Sequence, residues 1–562
     1  MLAISGVRNY KTQALTLMTY TTRSGHEISD TLAKEAFQTL SEDQIEALRS
    51  FGEERTVEKG EFLYRSGDAA EEFYVILEGE VNIFDPYDED GHDGYAGSSA
   101  LIGEIGQLTK QKALLSCQMS EAGRVLAVCH DGLMQAIATV PEIADNIVTS
   151  FRARRDVLMI TATGILVIVG PERSSEVQRI RQFAARSRIP YRCTESSSEE
   201  GKGCIDTHSL KVNPVSVVVR GQDVLENPTN LELARAFGAD LDMAASDRVD
   251  MAVIGAGPGG LAASVYGASE GLNTVVIDDT AVGGQAGTSS RIENYMGFPI
   301  GISGDHLAYR GQVQAIKFGA RFAVPRCAVS LTPEADGYLV GLNDGASLQA
   351  RTVVLACGVQ YRKLPLDRLE AFEGAGIYYA ATDLEARFCE GTDVYIVGGG
   401  NSAGQAAMFM SRKANHVYLL VRSDGLANTM SEYLSKRLET DERITIMTHT
   451  EVDTLHGEDA LSAITIRNNN TDKTEKRETK ALFLMIGAAP FTDWLEGTLN
   501  LDEKGFVLTG SEASRDSKFE TSCPGVYAIG DVRAGSVKRV ASAVGEGSVV
   551  VSDVHKFLAK KA

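Results

Sequence analysis

The chain has 562 residues, 43% of them hydrophobic and 23% charged, and a formal net charge of −21. So acidic a surface disfavours nucleic acid or anionic lipid as the main partner, because both are met by basic faces. At about 100–200 residues per domain, the length implies three or more domains, each able to bury its own core.

Residues 1–27 read as a flexible tail. They hold Arg8, Lys11 and Arg23, many threonines and no acid before Glu27, a composition shared with organelle transit peptides, and they lack the continuous apolar run of a signal peptide. Residues 28–158 alternate short β-type runs with glycines (GEFLYRSGD, EEFYVILEGEVNIFD, GRVLAVC) between flanking helical patterns, as in a small antiparallel roll. The apolar run VLMITATGILVIVG at 157–170 is shorter than the roughly 20 residues that span a bilayer. It reads as a buried helix end followed by a buried strand, and the expectation is a cytoplasmic protein without membrane contact. Residues 160–243 alternate strand and helix, with the polar ESSSEEGKG at 195–203 expected as a surface loop.

The α/β alternation resumes at 248 and carries two glycine-rich turns. In DMAVIGAGPGGLAASVYGASEGLNTVVIDD a strand enters Gly255-x-Gly257-Pro258-Gly259-Gly260, a helix follows, and a second strand ends at Asp278, eighteen residues past the last glycine. Gly255 suits a tight turn, Gly257 lets the main chain approach a pyrophosphate, and Gly260 lets helix and strand pack closely. The phosphates would lie at the helix N-terminus, and the acid would accept ribose hydroxyls. A second copy, VYIVGGGNSAGQAAMFMSRKANHVYLLVRSDG, sets Gly398, Gly400 and Ala403 in the equivalent places, with Asn401 and Ser402 between.

Its second strand ends at Arg422 instead of an acid. A guanidinium can pair with the 2′-phosphate of NADPH, whereas a carboxylate would favour the free ribose hydroxyls of NADH. Stacking on adenine, or a plain surface charge, is the alternative for Arg422, and nearby Asp424 keeps it open. Two dinucleotide sites in one chain imply a hydride relay from nicotinamide to a flavin, with FAD in the first site. Near the C-terminus, Gly530-Asp531 after a strand would place a carboxylate toward a ribityl chain. The helix beginning near Arg539 and Val540 would direct its N-terminal dipole at the flavin pyrimidine.

Residues 249–562 resemble the low-molecular-weight thioredoxin reductases: GGQAGTSSRIENYMGFP, VVLACGVQYRKLP, GGGNSA and the terminal GD segment occur in that family's order. The resemblance implies an FAD domain (248–366 and 490–562) split by an inserted NADPH domain (367–489), rotation of the latter, a homodimer, and FAD contacts at Gly284, Gln285 and Asn294. The departure lies in GIYYAATDLEARFCEG at 376–391, where Ala380 and Asp383 stand at the places of the family's Cys-x-x-Cys pair.

The eight cysteines (117, 129, 193, 204, 327, 357, 389 and 523) include no two that are three apart, so neither a dithiol nor a metal site is expected. Cys389 reads as a buried structural thiol. Asp383 is a candidate proton donor near a flavin, or equally a helix cap.

Residues 160–243 resemble a glutaredoxin-like or thioredoxin-like domain with Pro214 at that fold's cis-proline position, yet VGPERSSEV after the first strand holds no cysteine. Residues 28–158 resemble a cyclic-nucleotide-binding domain. Gly60, Gly67 and Gly79 are assigned to turns and Ile102-Gly103-Glu104 to its phosphate cassette, but the arginine that would meet the cyclic phosphate is missing and Lys112 is the nearest substitute. A cyclic nucleotide is therefore not an expected ligand.

The expected fold is α/β: two Rossmann-like dinucleotide-binding domains preceded by a thioredoxin-like module and an N-terminal β-roll with flanking helices. The expected activity is that of an NADPH-dependent FAD oxidoreductase without an internal dithiol, passing electrons to ferredoxin or flavodoxin, a quinone or oxygen. Two alternatives stand beside it: true disulfide reduction through a single cysteine or an external dithiol, and a redox or nucleotide sensor.

Overall fold

The computed structural model describes all residues except 1–19, 22–26, 87–93, 104–105, 110, 162–164, 172–173, 212–214, 242–247, 290, 293, 382, 388, 427–429, 459 and 562. Most of the expected tail, Glu104 and Pro214 thus lie outside the described residues. The chain divides into two units. One comprises Met1–Gly170, Ile180–Asp242 and Val313–Pro325; the other comprises Pro171–Arg179, Met243–Gln312 and Arg326–Ala562.

In the first unit the roll is an antiparallel sheet in which Glu53–Val57, Ser116–Cys129, Glu72–Phe84 and Gly94–Ala96 are hydrogen-bonded in that order. Phe62–Tyr64 and Leu101–Ile102 add to the two long strands. Alternation along these strands turns Tyr74, Ile76, Val81, Met119 and Val125 inward to a packed interior. Gly60 and Gly67 occupy turns as expected. Gly79 does not: it sits inside the strand Glu72–Phe84, where the register slips between Glu78 and Glu80. Two strands approach so closely there that a Cβ on Gly79 would lie 2.9 Å from the Ala122 carbonyl oxygen, so the glycine serves a bulge.

The helices before the roll start where their caps dictate. Ser29 accepts from Leu32 N–H, and Ser41 forms a capping box with Gln44. The long helix Pro141–Thr161 follows the roll. The apolar run at its end is only partly buried: Val157 is covered, but Ile160 is exposed.

A four-stranded sheet follows, ordered Arg192–Thr194, Leu166–Val169, Ser216–Val219, Asp223–Glu226, with the first pair parallel and the others antiparallel. The expected loop at 195–203 instead starts the helix Glu199–His208. Ser198 Oγ accepts from Gly201 N–H, and Glu199 and Glu200 in the first turn complement the helix dipole. Buried charges join this sheet domain to the long helix: Asp156 pairs with Arg152 at 3.0 Å and with Arg188 at 2.6 Å, and Arg155 donates to the Arg188 carbonyl. Lys112 donates its backbone N–H to the Phe237 carbonyl oxygen, so its main chain is tied to the second sheet domain.

The second unit holds two α/β sheets. In the first, Arg248–Ile254 lies parallel to Thr274–Ile277 on one side and to Ser347–Leu355 on the other. Ser347–Leu355 then forks, antiparallel to Gly337–Leu342 and parallel to Val526–Ala528. In the second, Ile377–Tyr378, Leu482–Leu484, Asp393–Val397, His416–Val421 and Ile444–Thr448 form an all-parallel sheet, accompanied by a three-stranded antiparallel sheet. The chain passes between the two through the pair Val359–Tyr361 and Ala488–Pro490. Parallel strands covered on both faces read as continuous apolar runs, which is why VYIV and VYLLV read as strands.

Candidate functional site

The first glycine turn joins the strand Arg248–Ile254 to the helix Pro258–Ser269. Gly257 caps the helix and Pro258 opens it, a position at which a missing N–H costs nothing. Gly255 has φ +109, and a Cβ there would lie 2.3 Å from the Ala356 carbonyl oxygen. At Gly260 a Cβ would lie 1.8 Å from the Gly255 carbonyl oxygen, so helix and strand meet backbone to backbone. Gly257 differs, because the nearest atom to its Cβ position is Gly284 Cα at 4.0 Å. A Cβ on Gly284 would lie 3.1 Å from Gly257 Cα, so two bare stretches of main chain face each other at the helix's N-terminus, and this suits a pyrophosphate. Gly259 is taken up elsewhere, packed against Ala543 of the terminal helix Val540–Lys561.

Asp278 follows the strand Thr274–Ile277, and its carboxylate accepts from the backbone N–H groups of Ala256 (2.8 Å), Thr280 and Ala281 (both 3.1 Å). It fastens the glycine turn to the second strand's end and keeps little acceptor capacity for a ribose. Gln285 donates from Nε2 to the Val359 carbonyl oxygen, and Asn294 is exposed on a loop closed by the Ile292–Ile302 bridge.

Gly530 has φ +68 and starts the tight turn Gly530–Val532, which presents Asp531. Among the described residues nothing hydrogen-bonds the half-buried Asp531 carboxylate, and burial raises its pKa above the ordinary value, with Lys538 opposing and Glu546 adding. A desolvated acceptor without a partner fits the hydroxyls of a ribityl chain. Arg539, exposed, precedes Val540 at the start of the 22-residue terminal helix, as expected.

A pH-dependent result follows. Because the folded carboxyl titrates above its ordinary range, ionising it costs stability at neutral pH, and that cost disappears below the ordinary range. Asp531→Asn should thus raise the unfolding midpoint of the FAD-free protein at pH 7, with the gain shrinking toward pH 4. The same variant should bind FAD more weakly than wild type. Thermal melts across this pH range check the first statement, and FAD titration checks the second.

The second turn repeats the geometry. Gly398 has φ +142, a Cβ there would lie 2.4 Å from the Met485 carbonyl oxygen, and Gly400 caps the helix Asn401–Met410. Ala403 is fully buried and Ser402 exposed, while Asn401 Oδ1 accepts from Ser431 N–H at 2.8 Å and so anchors the neighbouring helix start. Arg422 is exposed just past the strand His416–Val421 and forms no ion pair with a described residue. Asp424, in contrast, pairs with His449 at 3.3 Å.

The segment that departs from the reductase pattern packs into the core of the second sheet. Ala380 is half-buried, and Asp383 opens the four-residue helix Asp383–Ala386, its side chain lying outside the described residues. Cys389 is fully buried and donates to the Glu385 carbonyl oxygen at 3.2 Å. Cys357 lies beside Gly255, and burial pushes its thiol up to about 12. A thiol held in that range is a poor nucleophile at neutral pH.

Two residues escaped sequence reasoning. Glu546, a single acid in the small-residue run AVGEG, and Arg533 meet at 2.5 Å beside the Gly530 turn. Only that isolated charge in an apolar helix could have pointed to them.

Comparison with known proteins agrees with this geometry. Residues 54–140 match the cyclic nucleotide-binding domain. A thioredoxin reductase of Streptomyces clavuligerus is 33% identical over 315 residues, 56% of this chain and 95% of that protein. One from Mycoplasmopsis pulmonis is 34% identical over 308 residues, 53% of this chain and 94% of its own. The crystal structure of T. acidophilum thioredoxin reductase aligns with a TM-score of 0.50 at 25% identity, covering 56% of this chain and 100% of its own. Among the described residues no helix is long and apolar enough to cross a membrane. Residues 249–547, more than half of the chain, match the pyridine nucleotide-disulphide oxidoreductase family. The chain belongs to that family, whose thioredoxin-reductase-like members are NAD(P)H-dependent flavoenzymes that use FAD and NADPH.

Proposed function

We propose that this chain is an NADPH-dependent FAD oxidoreductase that passes electrons to an acceptor without an internal dithiol relay. The observation that carries the reading is the state of the cysteines. Ala380 and Asp383 occupy the relay positions, Cys389 is sealed in a core, and the Cys357 thiol is desolvated. When bound, FAD supplies two-electron chemistry, taking hydride from reduced nicotinamide.

The chain's own contributions are binding and charge placement. Gly257 and Gly284 leave room for the pyrophosphate, Asp531 meets the ribityl hydroxyls, and the terminal helix directs its positive end to the flavin. Arg422 meets the 2′-phosphate of NADPH. One relative, from Arabidopsis thaliana and 32% identical over 316 residues, is itself described as NADPH-dependent.

We assign 248–366 with 490–562 to FAD and 367–489 to NADPH, and infer a cytoplasmic homodimer that reduces a small protein such as ferredoxin or flavodoxin, a quinone, or oxygen. Residues 160–243, read as a glutaredoxin-like module without its redox cysteine pair, serve as a scaffold. The roll at 28–158 serves assembly without a cyclic nucleotide, since QKALLSC, after Ile102-Gly103, offers no arginine to pair with a cyclic phosphate.

Cys357→Ser and Cys389→Ser should each leave the rate of flavin bleaching by NADPH, and the rates with ferredoxin, quinone and oxygen, within about twofold of wild type, because burial pushes the Cys357 thiol up to about 12 and Cys389 is sealed from solvent. Anaerobic stopped-flow measurement tests this. Loss of a disulfide-reducing activity in either variant would replace this reading with single-cysteine disulfide reduction.

A further inference from the structure

The terminal helix Val540–Lys561 touches both ends of the proposed FAD site through one dipeptide. Glu546 reaches back to the ribityl turn, where Oε2 accepts from Gly530 N–H at 2.7 Å and Oε1 takes Arg533 Nη2 at 2.5 Å. Both side chains are nearly covered, at 11% and 12% exposure. The next residue, Gly547, faces the other way: a Cβ on it would lie 2.3 Å from the Gly259 carbonyl oxygen and 2.9 Å from Ala263 N, so the terminal helix is seated on the helix that follows the pyrophosphate turn. Arg533 belongs to the same local structure as Asp531, since its N–H donates to the Gly530 carbonyl oxygen at 3.1 Å.

We propose that Glu546 is a positioning residue for FAD: paired with Arg533, it locks the Gly530–Asp531 turn onto the terminal helix, while Gly547 registers that helix on the pyrophosphate turn. The ribityl and pyrophosphate subsites are thereby held at one spacing. The inference rests on the assignment of FAD to this cleft and adds the residues that keep its two halves in register. A buried ion pair contributes little to net stability, because desolvation offsets most of its attraction, yet it specifies geometry strongly: a carboxylate anchored by an N–H and a guanidinium has one favourable place to stand.

That difference supplies the test. Glu546→Leu removes the acceptor for Gly530 N–H and leaves the Arg533 charge uncompensated. Arg533→Met/Glu546→Leu removes both charges and refills the space with apolar side chains. We expect the double variant to unfold at a higher midpoint than Glu546→Leu in the FAD-free protein, falling short of wild type by no more than the unpaired Gly530 N–H costs, yet to bind FAD about tenfold or more weakly than wild type, the scale of a lost hydrogen bond to a charged group. FAD binding is read by quenching of flavin fluorescence on titration of FAD into FAD-free full-length protein, with far-UV circular dichroism confirming the fold. Should Glu546→Leu alone fail to fold, the double variant still decides. Wild-type affinity in the double variant overturns the positioning role and leaves the proposed function standing. A wild-type protein that takes up no FAD overturns both.

Discussion

Gly257→Ala should yield a protein with the unfolding midpoint of FAD-free wild type that no longer holds FAD, whereas Gly260→Ala should fail to reach the native fold. The two glycines are three residues apart in one turn, and their backbones ask for different things. At Gly257 φ is −70° and ψ −179°, an extended conformation open to any residue, and the Cβ position has no neighbour closer than Gly284 Cα at 4.0 Å. An alanine methyl therefore costs the FAD-free protein almost nothing. It does occupy the one face along which a pyrophosphate can reach the main chain, so the FAD dissociation constant should rise by about a hundredfold or more, two tenfold steps of about 1.4 kcal/mol.

At Gly260 the methyl would lie 1.8 Å from the Gly255 carbonyl oxygen and 3.2 Å from Val253 Cγ1. Neither is the end of a flexible side chain, so the whole helix would have to lift from its strand, at about 3 kcal/mol or more. Circular dichroism melts and FAD titration separate the two outcomes. Wild-type FAD affinity in Gly257→Ala would remove the first turn from the cofactor site.

Arg422→Glu should lower kcat/KM for NADPH by about a hundredfold and change kcat/KM for NADH by only a few-fold, reversing the cofactor preference. A charge-assisted contact is worth about 1.5–3 kcal/mol, and the substituted carboxylate adds repulsion of a 2′-phosphate that NADH lacks. Arg422 is suited to this contact because it is exposed at the end of the second strand of its turn, while the nearby Asp424 is engaged by His449. Since the contact would form near solvent, the preference for NADPH should also weaken as salt is raised through the range where the Debye length falls below about 10 Å. Initial rates with each nucleotide at two ionic strengths provide the check. An unchanged NADPH to NADH ratio would make Arg422 a plain surface charge.

The glycine turns were legible because their requirement is local. A tight turn, a close approach and a helix start within six residues leave few residue types that fit, and the apolar strands on either side mark the context. The same local logic placed the start of the terminal helix near Arg539 and Val540. It misjudged segments where local chemistry competes with context. ESSSEEGKG reads as a loop because its residues are polar, yet Ser198 and two acids are also what a helix start prefers. Gly79 reads as a turn because glycine marks turns, yet a bulge between two long strands needs it as much.

The sequence alone held two glycine-rich turns between strand and helix, a guanidinium where the second would otherwise hold an acid, and eight cysteines of which no two are three apart. Each of these depends on residue identity at short spacing. Tertiary structure alone decided what the acids do. Asp278 is drawn to Ala256 N–H of the glycine turn as well as to Thr280 and Ala281 N–H of its own, Asp531 is left with no described partner in a desolvated place, and Glu546 reaches across to Gly530 and Arg533. A carboxylate's role follows from which donors the fold brings within about 3 Å and how much water it excludes. Apart from Thr280 and Ala281, which follow Asp278 directly, the donors come from other segments of the chain, so no local spacing could have revealed them.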